Sequence, residues 1–277
     1  MQDWRAVDLK GDKIFVTIAA ICRAAAVCFS LSLISSTLWG FSPTQANAGL
    51  TMLTNTSKAL NGGTAFTDAD LTATGSYAAG SDSETATVDL KAKGPFESLM
   101  TLTLGSGQIS ELRQNPAGSW AGVDHNVQQM AGHNCLTPAA WFLPHGWVSQ
   151  ATQDTSFAVT LIGEEQHNGQ DVQHLQITWA PSGDAASSDT SRALSTADLY
   201  IDPTTYLPTA VHFSQHPDAN ALLDIPIEIQ FSDYRQVGTA QVPYHIVKLI
   251  QNTVFLDFTV SAVSINTGLP DSDFVIQ

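Results

Sequence analysis

The sequence predicts a mainly β, α+β domain built on one antiparallel sheet, and three observations predict it. In Ile225 to Phe231 every second residue is apolar (Ile225, Ile227, Ile229, Phe231) while Pro226, Glu228 and Gln230 fill the other face, which is the pattern of a half-buried strand. Val254 to Ala262 repeats it, with Val254, Leu256, Phe258, Val260 and Ala262 facing one way and Thr253, Asp257, Thr259 and Ser261 mostly the other. Turn chemistry separates the apolar runs. Asp202-Pro203-Thr204-Thr205-Tyr206-Leu207-Pro208 combines a fixed proline backbone with an Asp able to bond the backbone two residues on, and Asn168-Gly169 inside Ser156 to Trp179 is the strongest hairpin signal in the chain.

Taken in order, the first residues read as a targeting segment. Arg5, Lys10, Lys13 and Arg23 make a cationic start, Ala24 to Phe41 is an apolar run, and Ala46-Asn47-Ala48 offers small residues at both positions that matter before Gly49. Residues 1–48 are expected to be a signal peptide cleaved after Ala48, leaving residues 49–277 as one secreted or periplasmic domain. An uncleaved N-terminal membrane anchor is the competing reading, because the apolar run is near the lower limit for spanning a bilayer, roughly 17 residues. Cys22 and Cys28 follow Ile21 and Val27 and so do not read as lipoprotein attachment sites.

Leu50 to Leu60 is expected to be an amphipathic helix, with Leu50, Leu53 and Leu60 as its apolar positions and Asn61-Gly62-Gly63 as its stop. A meander follows: Phe66 to Tyr77, Thr85 to Ala92, Phe96 to Leu104, Gln108 to Gln114 and Trp120 to Asp124, broken by Gly80-Ser81-Asp82, Gly94-Pro95, Gly105-Ser106-Gly107 and Asn115-Pro116-Ala117-Gly118. Val127 to Gln150 interrupts the strands. There Thr137 can cap, and Pro138 can open, a short helix that Pro144 ends, carrying Trp141, Phe142 and Leu143, with Trp147 beyond. Pro181 to Ser195, rich in Ser, Asp and Ala, reads as a flexible surface loop.

The last third also carries a resemblance. Its runs "IDPTTYLPTAVHF", "EIQFSDYRQVGTAQVPYHI" and "VSAVSINTGLPDSDFVI" resemble the C-terminal part of LolA-like periplasmic proteins, a group that includes LolB and the RseB/MucB sensors. The resemblance implies a half-open antiparallel β-barrel with an N-terminal helix and short lid helices over an apolar cavity. It further implies that Trp141, Phe142, Leu143 and Trp147 lie across the mouth opposite Ile225, Ile227, Ile229, Phe231, Leu256 and Phe258. Plug and movable lid are equally open readings of that segment. In this family a strand arginine holds the lid closed through its backbone. Arg113 is the candidate for that role, although the residues themselves predict an exposed strand cation offsetting Glu111 or another acid. Arg235 is expected to close a turn against Asp233.

Chemistry is sparsely signalled. Cleavage would remove four of the 11 basic and three of the 26 acidic residues, leaving a net charge of −16, which repels phosphate backbones and anionic membranes and argues against nucleic acid. Cys135 alone would survive, so no intramolecular disulfide is expected, and a buried small hydrophobe is its predicted role. His125, His133, Cys135 and His145 share the interruption, but their spacing matches no zinc arrangement, and no metal or cofactor is expected. His212 and His216 are expected to face solvent. Gly118-Ser119-Trp120-Ala121-Gly122 misses the nucleophile elbow by one position, and Glu164-Glu165, adjacent on a strand, cannot converge on one bond. The expected function is therefore that of a monomeric, non-enzymatic carrier of an acyl chain, lipoprotein or other amphiphile, handing its cargo to an acceptor in the envelope. A lipid-sensing domain that regulates a membrane partner, RseB-like, is the alternative, and a hydrolase the weaker one.

Overall fold

The alternating runs assemble into a single antiparallel sheet. The computed structural model describes residues 43–276 except 81 and 180–184; the cationic start and apolar run of the predicted signal peptide lie outside them. Thirteen strands occur among the described residues. The first six are β1 (Asp68–Ala79), β2 (Asp82–Lys93), β3 (Glu97–Leu104), β4 (Gly107–Gln114), β5 (Ala117–Ala121) and β6 (Val127–Gln129). After the interruption come β7 (Phe157–His167), β8 (Gln170–Trp179), β9 (Ala197–Ile201), β10 (Pro208–Gln215), β11 (Ile225–Val237), β12 (Ala240–Ile250) and β13 (Thr253–Ile265).

Their spatial order is β6-β5-β4-β3-β2-β1-β13-β12-β11-β10-β9-β8-β7. The chain thus builds one half of the sheet outward from β1 and the other inward from β7, and β13 joins them by pairing with β1 in a register that sets Leu71 opposite Val263 and Gly75 opposite Phe258. Strands β6 and β7 remain edges. The sheet nevertheless curls until its halves meet, for Phe96 stacks on Trp179 at 5.0 Å and Trp179 on Phe157 at 6.1 Å. A half-open barrel is the result. Asp68 ties down the end of the chain, accepting hydrogen bonds from the backbone N–H groups of Thr267 (2.9 Å) and Gly268 (3.0 Å).

Two bulges correct the simple alternation expected for β13. Leu256, Phe258 and Val260 are buried as predicted, but Val254 and Ala262 are exposed. The register slips between Lys248 and Leu249 on one side, where Phe255 is the extra residue, and between Thr72 and Ala73 on the other, where Ser261 is. Each added residue reverses the facing of those beyond it. Phe255 therefore packs on Tyr77 at 5.1 Å, and Val263 and Ile265 take the inward positions.

The hairpin at Asn168-Gly169 forms as expected, both residues having positive φ. At Asp202 the carboxylate accepts from the backbone N–H groups of Thr204 (3.0 Å) and Thr205 (2.7 Å). Strand β5 starts three residues before the predicted position, because Asn115-Pro116 alone makes the turn.

Three α-helices occur among the described residues: α1 (Pro43–Asn61), α2 (His145–Ala151) and α3 (Ala185–Ser195). Helix α1 begins well before Leu50, so Ala46-Asn47-Ala48 lies within it. It buries Gly49, Leu53, Thr56 and Leu60, one face of a helix, while Leu50 points out. Gly49 lets α1 approach the sheet, since a Cβ there would lie 2.9 Å from the Leu161 backbone nitrogen. The predicted loop before β9 contains α3, docked by its last residue: Ser195 Oγ donates to Trp179 O (2.6 Å) and accepts from Trp179 N (2.8 Å). Among the described residues no helix is long and apolar enough to cross a membrane.

Candidate functional site: the filled concave face

The inward positions of the strands form one continuous apolar surface, and the segment between β6 and β7 lies on it. Trp141, Phe142, Leu143 and Trp147 are all buried, and so are Ile227, Ile229, Phe231, Leu256 and Phe258 opposite, in a single cluster. Ile225, at the mouth of β11, is only half-buried against the same cluster. Local structure differs from the predicted helix over residues 138–143. That stretch makes tight turns, and α2 starts after Pro144 instead of ending there. Proline is favoured at a helix start, where its missing N–H is no loss, and its carbonyl accepts from Val148 N at 2.9 Å. Trp141 and Phe142 meet edge to face at 5.5 Å.

Polar contacts hold this segment on both rims, through its backbone on one side and through its Asn134 side chain on the other. Strand alternation turns Arg113 inward together with Ile109 and Glu111, and the guanidinium is only 1% exposed, which overturns the expectation of an exposed cation. Arg113 Nη2 donates to Thr137 O at 3.3 Å and Thr137 Oγ1 at 3.2 Å, and Nε donates to Asn115 Oδ1 at 3.3 Å. Glu111 Oε1 lies 3.9 Å from Nη1. Asn115 Nδ2 reaches the same Thr137 carbonyl at 2.7 Å. On β3, Ser98 stands directly opposite Arg113 and donates to Ala139 O at 2.7 Å. Across the mouth, Asn134 Nδ2 donates to His216 O (2.7 Å) and Asn134 Oδ1 accepts from His216 N (2.8 Å).

A further inward cation went unnoticed in the sequence. Lys248 follows Val242 and Ile246 on the core face of β12, is 4% exposed, and holds its ammonium 4.4 Å from the centroid of the Trp141 ring. Burial lowers its pKa, the charge of Glu111 raises it, and Arg113 lowers it again. Its place in the alternating run Val242, Ile246, Lys248, Ile250 was the available signal. Ser98 and Asn134 left none, because their roles depend on a carbonyl supplied from far along the chain.

The four possible metal ligands in and just before the interruption do not converge. His125 is exposed, Cys135 is buried beneath Gly118 with its thiol pushed up by burial, and His145 is fully buried beside Phe66. Among the described residues no group of three His, Cys, Asp or Glu side chains could hold a metal ion. Burial, only partly countered by the Gln241 backbone, lowers the His145 pKa from 6.5 to about 4, so this imidazole is neutral at pH 7. His216 is buried rather than solvent-facing, its ring edge-on to His133 at 5.9 Å, because the loop after β10 folds against the interruption. Arg235 pairs with Asp233 as expected, at 2.6 Å.

On the outer face a second polar group joins β7 to β11. His174 Nε2 meets Asp198 Oδ1 at 3.0 Å and its Nδ1 lies 3.3 Å from Glu165, while His167 stacks on Tyr200 at 3.7 Å and reaches Glu228 at 3.4 Å. Burial alone would lower the His174 pKa, but the Asp198 hydrogen bond and the two carboxylate charges outweigh it and raise it. This cluster knits the second half of the sheet and stands apart from the concave face.

No protein-family model matches the chain, and no curated protein sequence does. Solved structures do match in three dimensions. A protein domain assigned by name to outer membrane lipoprotein sorting, from Vibrio parahaemolyticus, aligns with a TM-score of 0.53 at 15% identity, covering 83% of this chain and 97% of its own. A DUF1329 family protein from Desulfovibrio piger aligns at 0.52 and 13% identity over 84% and 99%. A LolA superfamily protein from Nitrosomonas europaea aligns at 0.52 and 12% identity over 82% and 97%. The shared feature is the fold.

Proposed function

We propose that this chain, which has the LolA-like fold, is a carrier that takes an acyl chain, free or on a lipoprotein, or another amphiphile onto its concave face in exchange for the segment between β6 and β7. The observation that carries the reading is how that segment is held. Its apolar side chains fill the face, while Arg113, Asn115 and Ser98 bond the backbone carbonyls of Thr137 and Ala139, and Arg113 the Thr137 hydroxyl as well. Burying each large side chain is worth about 1.5–3 kcal/mol and each methylene of an acyl chain about 0.8 kcal/mol, so four such residues and a long acyl chain stabilise the same surface by similar amounts. Exchange between them is then close to balanced. The released backbone groups can turn to water, so their bonds oppose opening by only about 1 kcal/mol each.

In the same proposal the chain is exported, cleaved after Ala48, and works as a monomer that passes its cargo to an acceptor in the envelope. Cleavage there would keep Gly49, Leu53, Thr56 and Leu60, the face α1 uses to dock. The lipoprotein-sorting assignment of the Vibrio domain is compatible with such a role and belongs to that domain.

Native mass spectrometry of protein purified from its own envelope, followed by lipid extraction, tests the reading. One amphiphile bound per chain is the expected result. A folded protein that carries no lipid and whose tryptophan emission is unchanged across a titration with fatty acids would overturn it.

A further inference from the structure

We infer that Lys248 is the headgroup site of this carrier, and that the cargo is an anionic amphiphile whose carboxylate or phosphate takes the place of the Trp141 ring above the Lys248 ammonium. The inference rests on the carrier reading and names its ligand class. Two observations and one consequence of the carrier reading lead to it. Lys248 occupies a core position on β12, between inward Ile246 and inward Ile250, where burial of a charge is unfavourable unless something compensates it. What faces the ammonium is an aromatic ring at 4.4 Å, and none of the ion pairs among the described residues includes Lys248. The ring belongs to the segment proposed to leave. Once it leaves, the cation would face the opened cavity with Leu256 beside it on β13 and no counterion in contact.

The surrounding charge favours the same ligand. Arg113 and Glu111 share the inward face of β4, with Glu111 paired to Arg113, so the balance of the three groups is one positive charge inside a protein whose overall net charge is −15. A negative surface repels anionic amphiphiles at large, and an interior cation gives the correct one a place where its headgroup is neutralised. An uncharged amphiphile would leave Lys248 buried without its ring and with no anion in contact. Selection for the charged headgroup follows from that difference.

The test compares three amphiphiles with the same twelve-carbon chain, laurate, dodecyl phosphate and dodecanol, each displacing a fluorescent fatty acid from the purified protein at pH 7.5. At least one of the two anions is expected to bind ten-fold or more tightly than dodecanol, and which of them does so identifies the headgroup. In Lys248→Met the preference should fall to less than three-fold with dodecanol binding kept, and in Lys248→Arg it should return. Equal binding of all three by the wild-type protein overturns the inference without any variant, and so does a preference that survives in Lys248→Met. Failure of the wild-type protein to bind any of the three removes the carrier reading together with it.

Discussion

The burial of Arg113 and that of His145 both have consequences that can be measured. Replacing Arg113 by Met keeps its stem and removes the fork on Thr137, whose carbonyl then keeps only Asn115 and whose hydroxyl keeps only Asn134 O, and it leaves Glu111 without its cation. Hydrogen bonds to a charged group contribute about 1.5–3 kcal/mol, so Arg113→Met should lower the denaturant midpoint by an amount equivalent to about 2–3 kcal/mol. Uptake of a fluorescent fatty acid, followed by stopped flow, should become faster because the segment is released more readily. Unchanged uptake would make Arg113 a purely structural residue. For His145 the folded pKa of about 4 lies below the ordinary 6.5. The unfolded chain therefore binds a proton first as pH falls, and the stability contributed by the neutral ring is complete above pH 6.5 and is lost as pH drops towards 4. The loss amounts to at most about 3 kcal/mol. Urea unfolding of wild type and His145→Asn at pH 7 and pH 4.5 should converge by most of that amount. Parallel pH profiles would show that His145 does not titrate as a buried neutral group.

Among the elements, the segment from Val127 to Ala151 decides between a fixed plug and an exchanging one. Trp141 touches Phe142 on one side and Lys248 on another, so Trp141→Ala should cost about 3–5 kcal/mol in the unliganded protein. If the segment exchanges with ligand, weakening its closed state must tighten the apparent affinity for an uncharged fatty probe severalfold, since less has to be displaced. A plug predicts the same fall in melting temperature with affinity unaltered. Isothermal titration beside a thermal melt separates the two. Helix α2 shows why proline alone was ambiguous in the sequence: Pro138 and Pro144 each could start a helix with buried apolar residues after it, and only the second does, carrying Trp147, Val148 and Ala151 inward.

For the whole molecule, β13 is the seam. It is the strand through which β1 to β6 and β7 to β12 become one sheet, pairing with β1 on one edge and β12 on the other. A chain ending at Asn252 would leave two sheets with unpaired inner edges and expose Leu71 and Ile246 beside the gap. Its expected behaviour is loss of the single cooperative unfolding transition, read by circular dichroism during heating, with aggregation before completion. A truncated chain that melts in one sharp step would contradict the seam.

Much of this architecture is legible in the sequence. Alternation named the inward residues Ile227, Ile229, Phe231, Leu256 and Phe258, the Asn168-Gly169 and Asp202 turns placed two connections, and four clustered large apolar residues marked the segment that covers the sheet. These are local signals, because a strand's two faces and a tight turn's backbone angles are set by residues next to one another. What tertiary structure alone decided were the partners. The two bulges of β13 depend on the register with β1 and β12, the docking of α3 on a bond between Ser195 and Trp179, and the burial of Arg113 and His216 and the ring over Lys248 on a segment that returns across the mouth. A polar side chain reads the same in sequence whether it meets water or a carbonyl from elsewhere in the chain, and only the folded sheet brings Thr137 to Arg113 and Trp141 to Lys248.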